Sequence, residues 1–128
     1  MSAWKPEGYP SMSPYLICKD AESVIGFATQ VLGAEVLRRF DHPDGSVMHT
    51  ELRIDDSILM IGGGATDMQS DGAHLHVYVP DAAAVFERAV AAGATVIQEP
   101  ARSNDDDDLR GGVRDASGTS WWFASQPA

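Results

Sequence analysis

The chain has 128 residues, of which 44% are hydrophobic, and this length and composition fit a single domain with a sizeable core. Nineteen acidic residues against nine basic ones give a formal net charge of −10, which disfavours binding to the phosphate backbone of nucleic acids. No apolar run approaches the roughly 18 residues that would span a bilayer, and the N-terminus lacks the pattern of a secretion signal, so we expect no membrane association.

The first half of the chain has the pattern of a strand, a helix and three further strands. Residues 15–18 predict a short apolar strand. Asp20 then begins a helix, because its carboxylate can accept hydrogen bonds from the free N–H groups of the first turn. The helix ends at Gly33, since a left-handed cap requires a residue without a Cβ. Three strands follow, over residues 35–40, 47–54 and 57–61.

The second half repeats this order of elements. A strand over residues 75–79 leads to Asp81, which caps a second helix, and that helix ends at Gly93. Three strands again follow, over residues 95–98, 110–114 and 120–125. Between the halves, the glycines at 62–64 and the polar stretch 65–72 predict a flexible joint.

Comparison of the halves indicates an internal duplication. Asp20 and Asp81 are 61 residues apart, and the glycines that end the two helices are 60 apart. A period near 60 is too long for a solenoid repeat, so two copies favour a pseudo-symmetric domain. We therefore predict an α+β fold of two tandem βαβββ modules, residues 13–64 and 71–126, within one domain. Each module has one helix on a four-stranded mixed sheet, and the two sheets curl around a cavity.

Local stretches in both halves carry a family resemblance. They are Pro14-Tyr15-Leu16 leading to Asp20, Phe40–Gly45 with Met48–Leu52, and Gly112–Gly118 ending in Trp121-Trp122. With these stretches the chain resembles the vicinal oxygen chelate superfamily, which includes glyoxalase I, bleomycin-resistance proteins, fosfomycin-resistance enzymes and extradiol dioxygenases. The stretches are similar to a glyoxalase-like subgroup whose members mostly lack an assigned reaction. The resemblance covers about residues 13–126 and implies a homodimer, in which modules often pair across subunits to complete each cavity.

The resemblance also implies where a metal would be held. In the metal-dependent members, one ligand lies at the start of each first strand and one on each last strand, where His and Glu hold Zn, Ni, Mn or Fe. The repeat places these positions at Ser13, Met60, His74 and Trp122. Only His74 is a good donor, because an indole N–H cannot ligate and thioether or hydroxyl groups suit a hard divalent ion poorly. We therefore expect that the family metal is lost and that no cofactor replaces it.

Strand alternation predicts which side chains face the cavity. If His74 faces inward, then residues two positions apart on the same strand do so too. The predicted ligand-binding residues are Ser13, Tyr15, Met60, His74, His76, Tyr78 and Trp122. Tyr15, Tyr78 and Trp122 can stack on a planar ligand, and by parity one of the two adjacent tryptophans must face the core instead.

His49 and Glu51 lie on the polar face of the third predicted strand, directed toward the cavity or the solvent. One interpretation joins them to His74 in a rebuilt metal or catalytic site, because two histidines and a carboxylate are a legitimate ligand set for Zn or non-haem iron. The other interpretation is a hydrogen-bonded polar rim around a binding pocket. We favour the rim, because the three residues do not share a strand.

An acidic loop, residues 103–108, precedes the penultimate strand. Its carboxylates suit a hard cation in principle, but four adjacent Asp residues do not share one coordination geometry, so a solvated loop is favoured. Arg110 and Arg114 lie close enough in sequence to pair with it.

These features favour a small-molecule binding protein of the glyoxalase/bleomycin-resistance type that works as a homodimer without the family metal. The alternative is a glyoxalase-like lyase or isomerase, or another enzyme, with Glu51 or His49 as general base and a rebuilt metal site. The lone cysteine, Cys18, lies among apolar residues, which favours a core side chain over a nucleophile. Because it has no partner for an internal disulfide, we expect a cytoplasmic location.

Overall fold

The computed structural model of the chain describes residues 4–63 and 72–127. The elements in chain order are β1 (Tyr15–Cys18), α1 (Ala21–Leu32), β2 (Glu35–Asp41), β3 (Val47–Ile54), β4 (Ser57–Gly63), β5 (His74–Tyr78), α2 (Ala82–Ala91), β6 (Thr95–Ala101), β7 (Leu109–Arg114) and β8 (Ser120–Ser125). Each half contributes one helix and one four-stranded mixed sheet. This confirms the predicted α+β fold. None of the helices in the described ranges is long and apolar enough to cross a membrane.

The two sheets have the same topology. The first sheet has the strand order β1-β4-β3-β2 and the second has β5-β8-β7-β6. In both, the first strand pairs in parallel with the last and the remaining pairs are antiparallel. Tyr15 pairs with Met60, and His76 pairs with Trp122 in the same place on the second sheet. Tyr15 and His76 are 61 residues apart and Met60 and Trp122 are 62 apart, so the register relates the halves by nearly the same offset as the helix caps do.

Both helices begin at the predicted caps. The Asp20 carboxylate accepts a hydrogen bond from the Ser23 backbone N–H at 3.2 Å, and Asp81 accepts one from Ala84 at 3.1 Å. Gly33 ends α1 with a φ of 66°, the left-handed conformation that a residue without a Cβ adopts at low cost.

One apolar core lies under both helices. The Phe27 ring of α1 is 5.6 Å from the Trp121 ring of β8, so the first helix also reaches the second sheet. Trp121 is fully buried, and its indole N–H donates to the Asp115 carboxylate at 2.8 Å. Cys18 is buried in the same core, where burial raises the pKa of its thiol and keeps it unreactive. The core therefore occupies the helix side of each sheet.

Two segments differ from the sequence expectation. Gly62 and Gly63 are part of β4 and not of a flexible joint. A Cβ at Gly63 would be 2.4 Å from the Val47 carbonyl oxygen. The rest of the predicted joint, residues 64–71, lies outside the described residues. The strand β6 also runs on to Ala101 through a proline, which an edge strand tolerates since one side of it needs no ladder hydrogen bonds.

Candidate functional site

The face of each sheet that points away from the helices, here called the open face, carries the predicted ligand-binding side chains. The alternation is clearest on β5, where His74, His76 and Tyr78 are exposed while Leu75 and Val77 pack against the core. This is the orientation that strand parity predicts. The second sheet therefore presents two histidines and a tyrosine in a row.

On the first sheet, the open face includes Tyr15 of β1 and Met60 of β4, which are partners in the sheet register. Ser13 is partly exposed and lies two residues before the first residue of β1. Tyr15 and Phe40 are 48% and 52% exposed, so large aromatic surface lies open to solvent. Both rings lie beside His49, at centroid distances of 5.6 and 6.3 Å.

A chain of hydrogen bonds crosses this open face. The Tyr15 hydroxyl lies 3.1 Å from His49 Nδ1, and His49 Nε2 lies 2.8 Å from Glu51 Oε2. Because an ionised carboxylate only accepts, His49 Nε2 carries a proton and donates it. In the neutral imidazole, Nδ1 then accepts from the Tyr15 hydroxyl. The carboxylate thus orients a histidine that in turn contacts a half-exposed phenol.

Glu51 is 6% exposed and all its contacts favour the ionised form. Tyr9 donates a hydrogen bond to Oε1, and Arg38 Nε lies 3.2 Å from the same oxygen. Burial raises the pKa of Glu51, but the hydrogen bonds from Tyr9 and His49 and the charge of Arg38 outweigh burial and lower it. With a lowered pKa and both oxygens engaged, Glu51 is better suited to orienting His49 than to removing a proton from a ligand.

Sequence reasoning missed Tyr9. The Arg38 guanidinium lies over the Tyr9 ring at 5.6 Å from its centroid, which holds the side chain where its hydroxyl meets Glu51. The hydrogen bond to Glu51 raises the pKa of Tyr9, so the phenol remains a donor. Tyr9 precedes the duplicated region and belongs to no periodic segment, so neither the repeat nor strand alternation marked it.

On the second sheet, Trp122 and His74 form a fixed pair. The Trp122 indole N–H donates to His74 Nδ1 at 3.1 Å, and the two rings are stacked with centroids 6.3 Å apart. The indole lies against Gly112, where an added Cβ would be 2.6 Å from the ring. Gly112 is the register partner of Trp122, so its small size is what lets the ring lie flat on the sheet. In the sequence, Gly112 stood out only as the start of the Gly112–Gly118 stretch that carries the family resemblance.

A second network joins the far end of β5 to the acidic loop. The Tyr78 hydroxyl donates to Asp108 at 2.8 Å, and Arg110 Nη2 lies 3.2 Å from the same carboxylate oxygen. Arg110 Nε also donates to His76 Nε2 at 3.1 Å. The hydrogen bond and the negative charge of Asp108 raise the pKa of Tyr78. Asp108, the last residue of the acidic loop, therefore pairs with Arg110, one of the two arginines that the sequence offered as partners.

The side chains at the expected metal positions do not fit a metal ion. The lone pair of His74 Nδ1 accepts from Trp122, and Ser13 and Met60 are poor donors for a hard cation. Across residues 4–63 and 72–127, no three His, Cys, Asp or Glu side chains form a group that could hold a metal ion. His49 and Glu51 bond to each other while His74 bonds to Trp122, so one chain does not bring these three together.

Within residues 4–63 and 72–127, a broad groove beside β5 is lined from one of the two open faces only. It has a volume of about 1180 Å³, runs along β5 and takes in His76 and Tyr78. Its opposite wall includes Pro10 and Pro14 of the segment before β1. Tyr15, His49 and Glu51 do not line this groove. This groove therefore takes in side chains of the second open face and leaves out the Tyr15–His49–Glu51 chain of the first.

Comparisons with known proteins agree with this architecture. The family model of the glyoxalase-like domain matches residues 15–122. An uncharacterized protein of Mycobacterium bovis is 37% identical over 99 residues, which cover 69% of this chain and 65% of that protein. The chain therefore spans slightly less than two thirds of the length of this relative.

Two solved structures share the fold. TioX from Micromonospora sp. ML1 superposes with a TM-score of 0.75 at 22% identity, covering 91% of this chain and 98% of TioX. The E126Q mutant of the fosfomycin resistance protein FosX from Listeria monocytogenes, in complex with Mn(II) and 1S,2S-dihydroxypropylphosphonic acid, has a TM-score of 0.69 at 16% identity. That match covers 88% of this chain and 86% of FosX. Because the family model spans most of the sequence, this chain belongs to the glyoxalase-like domain family of the vicinal oxygen chelate superfamily.

Proposed function

We propose that this protein binds a small, partly aromatic molecule between two open sheet faces, without the metal of its metal-dependent relatives. The observation that carries the proposal is the pair formed by Trp122 and His74, in which the indole N–H occupies a lone pair of the one good donor among the expected metal positions. The aromatic side chains of Tyr15 and Tyr78 offer stacking surface on the two faces. This combination favours binding of an organic ligand over metal chemistry.

The proposed binding unit is a homodimer. Each open face leaves large aromatic side chains exposed, with Tyr78 at 60%, and the groove along β5 does not include Tyr15, His49 or Glu51 of the other face. If the first sheet of one subunit faced the second sheet of another, both half-sites would be covered and joined. The expected dimer therefore joins the two faces around one cavity.

Thermal unfolding in the presence of ligands tests the binding proposal. We expect no stabilisation by Zn²⁺, Ni²⁺ or Mn²⁺, and stabilisation by one or more compounds from a panel of metabolites and antibiotics. A ligand at 100 times its Kd contributes about 2.7 kcal/mol, which shifts the melting temperature of a domain of this size by several degrees. Stoichiometric metal binding by calorimetry that is lost in His74→Ala would overturn the proposal.

A second candidate function is catalysis, and the hydrogen-bonded chain from Glu51 through His49 to Tyr15 favours it. In this alternative His49 is the general base, reached by the substrate directly or through the Tyr15 hydroxyl, and Glu51 holds its orientation. The test follows any compound that binds in the thermal screen for chemical turnover. Turnover that disappears in His49→Gln while binding persists would establish catalysis, and binding without turnover would reject it for that compound.

We also propose a cytoplasmic location. Cys18 is a free thiol buried in the core, which suits a reducing compartment. Fractionation of cells that express the tagged chain tests this directly, since recovery from a secreted or membrane fraction would contradict it.

A further inference from the structure

Two histidines on the open face of the second sheet are contacted by groups that can only donate. Trp122 Nε1 lies 3.1 Å from His74 Nδ1, and Arg110 Nε lies 3.1 Å from His76 Nε2. Indole and guanidinium nitrogens offer protons and no lone pair. Each contacted imidazole nitrogen must therefore be unprotonated. In the neutral imidazoles the proton of His74 is then on Nε2 and that of His76 on Nδ1.

The two donors are themselves held in place. The Trp122 ring rests on Gly112, which leaves no room for a side chain beneath it. Arg110 is paired with Asp108 at 3.2 Å, and the same carboxylate accepts from the Tyr78 hydroxyl. The tautomers of the histidines are thus set by side chains whose own positions are fixed before any ligand arrives, which lowers the entropy cost of binding.

The remaining ring N–H groups have no hydrogen-bond partner within residues 4–63 and 72–127, and both histidines are exposed. His74 and His76 are two residues apart on one face of β5, so their Cα atoms are about 6.6 Å apart. Asp108 forms an ion pair with Arg110 and accepts from Tyr78, so this carboxylate is already engaged. Within the described residues, the surface therefore displays two unused N–H donors beside the partly exposed ring of Trp122 and the exposed ring of Tyr78.

We infer that this pair of histidines is a receptor for ligand oxygen atoms that accept hydrogen bonds, as in a carbonyl or carboxylate group attached to a planar ring. The inference rests on the proposed binding function and specifies the chemistry of its ligand. The oxygen accepts from His74 Nε2–H or His76 Nδ1–H, and the ring stacks on Trp122 or Tyr78. A ligand that offers only donors, such as an aryl ammonium, finds no acceptor on either imidazole.

The tautomers are tested without any ligand by NMR of the protein labelled with ¹⁵N-histidine, assigned with His74→Gln and His76→Gln. At pH 8 we expect the proton of His74 on Nε2 and that of His76 on Nδ1. Trp122→Phe keeps a large ring but removes the N–H, so His74 should lose its single tautomer. Trp4→Phe is the matched control, because Trp4 is exposed and lies far from this pair in the chain. A wild-type His74 protonated on Nδ1, or an unchanged His74 in Trp122→Phe, would overturn the inference.

The ligand class is tested with three probes that share one ring: naphthalene-2-carboxylate, 2-acetylnaphthalene and 2-naphthylmethylamine. We expect the carboxylate or the ketone to bind at least tenfold more tightly than the amine and to shift the ¹⁵N signals of His74 or His76. A preference between carboxylate and ketone tells whether charge contributes. Equal binding of the amine would overturn the inference and leave the proposed function standing. Absence of binding by all three probes would count against the proposed function and against the inference with it.

Discussion

Individual contacts on the open faces depend on the size of one residue, Gly112, and on the charge of another, Glu51. Trp122 can lie flat on the second sheet only because its register partner, Gly112, has no Cβ. On the first sheet, the buried Glu51 is stabilised as an anion because Tyr9, His49 and Arg38 converge on its two oxygens. Gly112 therefore determines the position of the Trp122 indole, and Glu51 determines which nitrogen of His49 carries a proton.

Replacing Gly112 by alanine should disrupt the Trp122 position. The new Cβ would lie 2.6 Å from the ring, which is closer than van der Waals contact allows. We expect the free energy of unfolding to fall by about 1–3 kcal/mol, as for other overpacked sites. Urea denaturation measures this loss, and ¹⁵N-histidine spectra should show that His74 no longer has one tautomer.

Gly26→Ala is the matched control, because nothing lies within 4 Å of a Cβ at this exposed position of α1. This variant should be more stable than the wild type, by about 0.5–1 kcal/mol, since alanine favours a helix over glycine. Equal stability of Gly112→Ala and the wild type would contradict the close contact.

In Tyr9→Phe, the loss of stability in acid should begin at a higher pH than in the wild type. The pKa of Glu51 is lowered in the folded protein, so its contribution to stability is complete above the pKa of the unfolded chain and is lost as pH falls through the folded pKa. Without the Tyr9 hydroxyl, the pKa of Glu51 should rise and this loss should begin at a higher pH. Unfolding free energies measured between pH 7 and pH 3 test the shift. Tyr78→Phe is the control, since its hydroxyl contacts Asp108 and leaves Glu51 untouched.

The same local features determine the helices and strands of both halves of the chain. Both helices begin at an Asp whose carboxylate accepts from the N–H three residues later. Both first strands alternate between core and open face, and both last strands run parallel to them. The strand β4 departs from the sequence expectation because Gly62 and Gly63 belong to the sheet, where a Cβ at Gly63 would lie 2.4 Å from the Val47 carbonyl oxygen.

Asp81→Ala should lower the free energy of unfolding by about 1 kcal/mol, the usual value of an N-cap hydrogen bond. The double variant Asp20→Ala/Asp81→Ala should lose the sum of the two effects, because the caps lie on different helices and share no partner. Asp81→Asn should retain most of the stability. Chemical denaturation compares these three variants with Asp20→Ala and the wild type, and a double variant no less stable than either single one would show that the caps are not independent.

At the scale of the whole molecule, the open faces carry large aromatic side chains that the rest of the described chain leaves exposed. Phe40 is half-exposed on the first sheet beside His49, where a facing subunit would cover it. The helices, in contrast, already bury their apolar faces in the shared core. The helix side of each sheet is covered and the open face is not, so the proposed dimer forms through the open faces.

Phe40→Lys should weaken the dimer while leaving the monomer folded. A charge at the centre of an interface between the open faces would lose its hydration, whereas in the monomer the side chain stays in water. Sedimentation over a range of concentrations should show a dissociation constant raised at least tenfold. Val90→Lys on the exposed side of α2 is the control and should sediment as the wild type does. A wild-type chain that sediments as a monomer would contradict the proposed dimer.

The sequence by itself determined the fold and the direction of most side chains. Caps, alternation and the duplication are properties of neighbouring residues, so Asp20, Asp81 and the row from His74 to Tyr78 could be read directly. It also identified the residues at the expected metal positions, because the offset between the halves survives in the sheet register.

Only the tertiary structure decided which groups meet on the open faces. Tyr9 and Glu51 are 42 residues apart, and His74 and Trp122 are 48 apart, so no local pattern records that they bond. These contacts depend on how the N-terminal segment crosses the first sheet and on where the indole rests on Gly112. A hydrogen bond needs its two atoms within about 3.5 Å, a precision that the sequence pattern lacks and chain packing supplies.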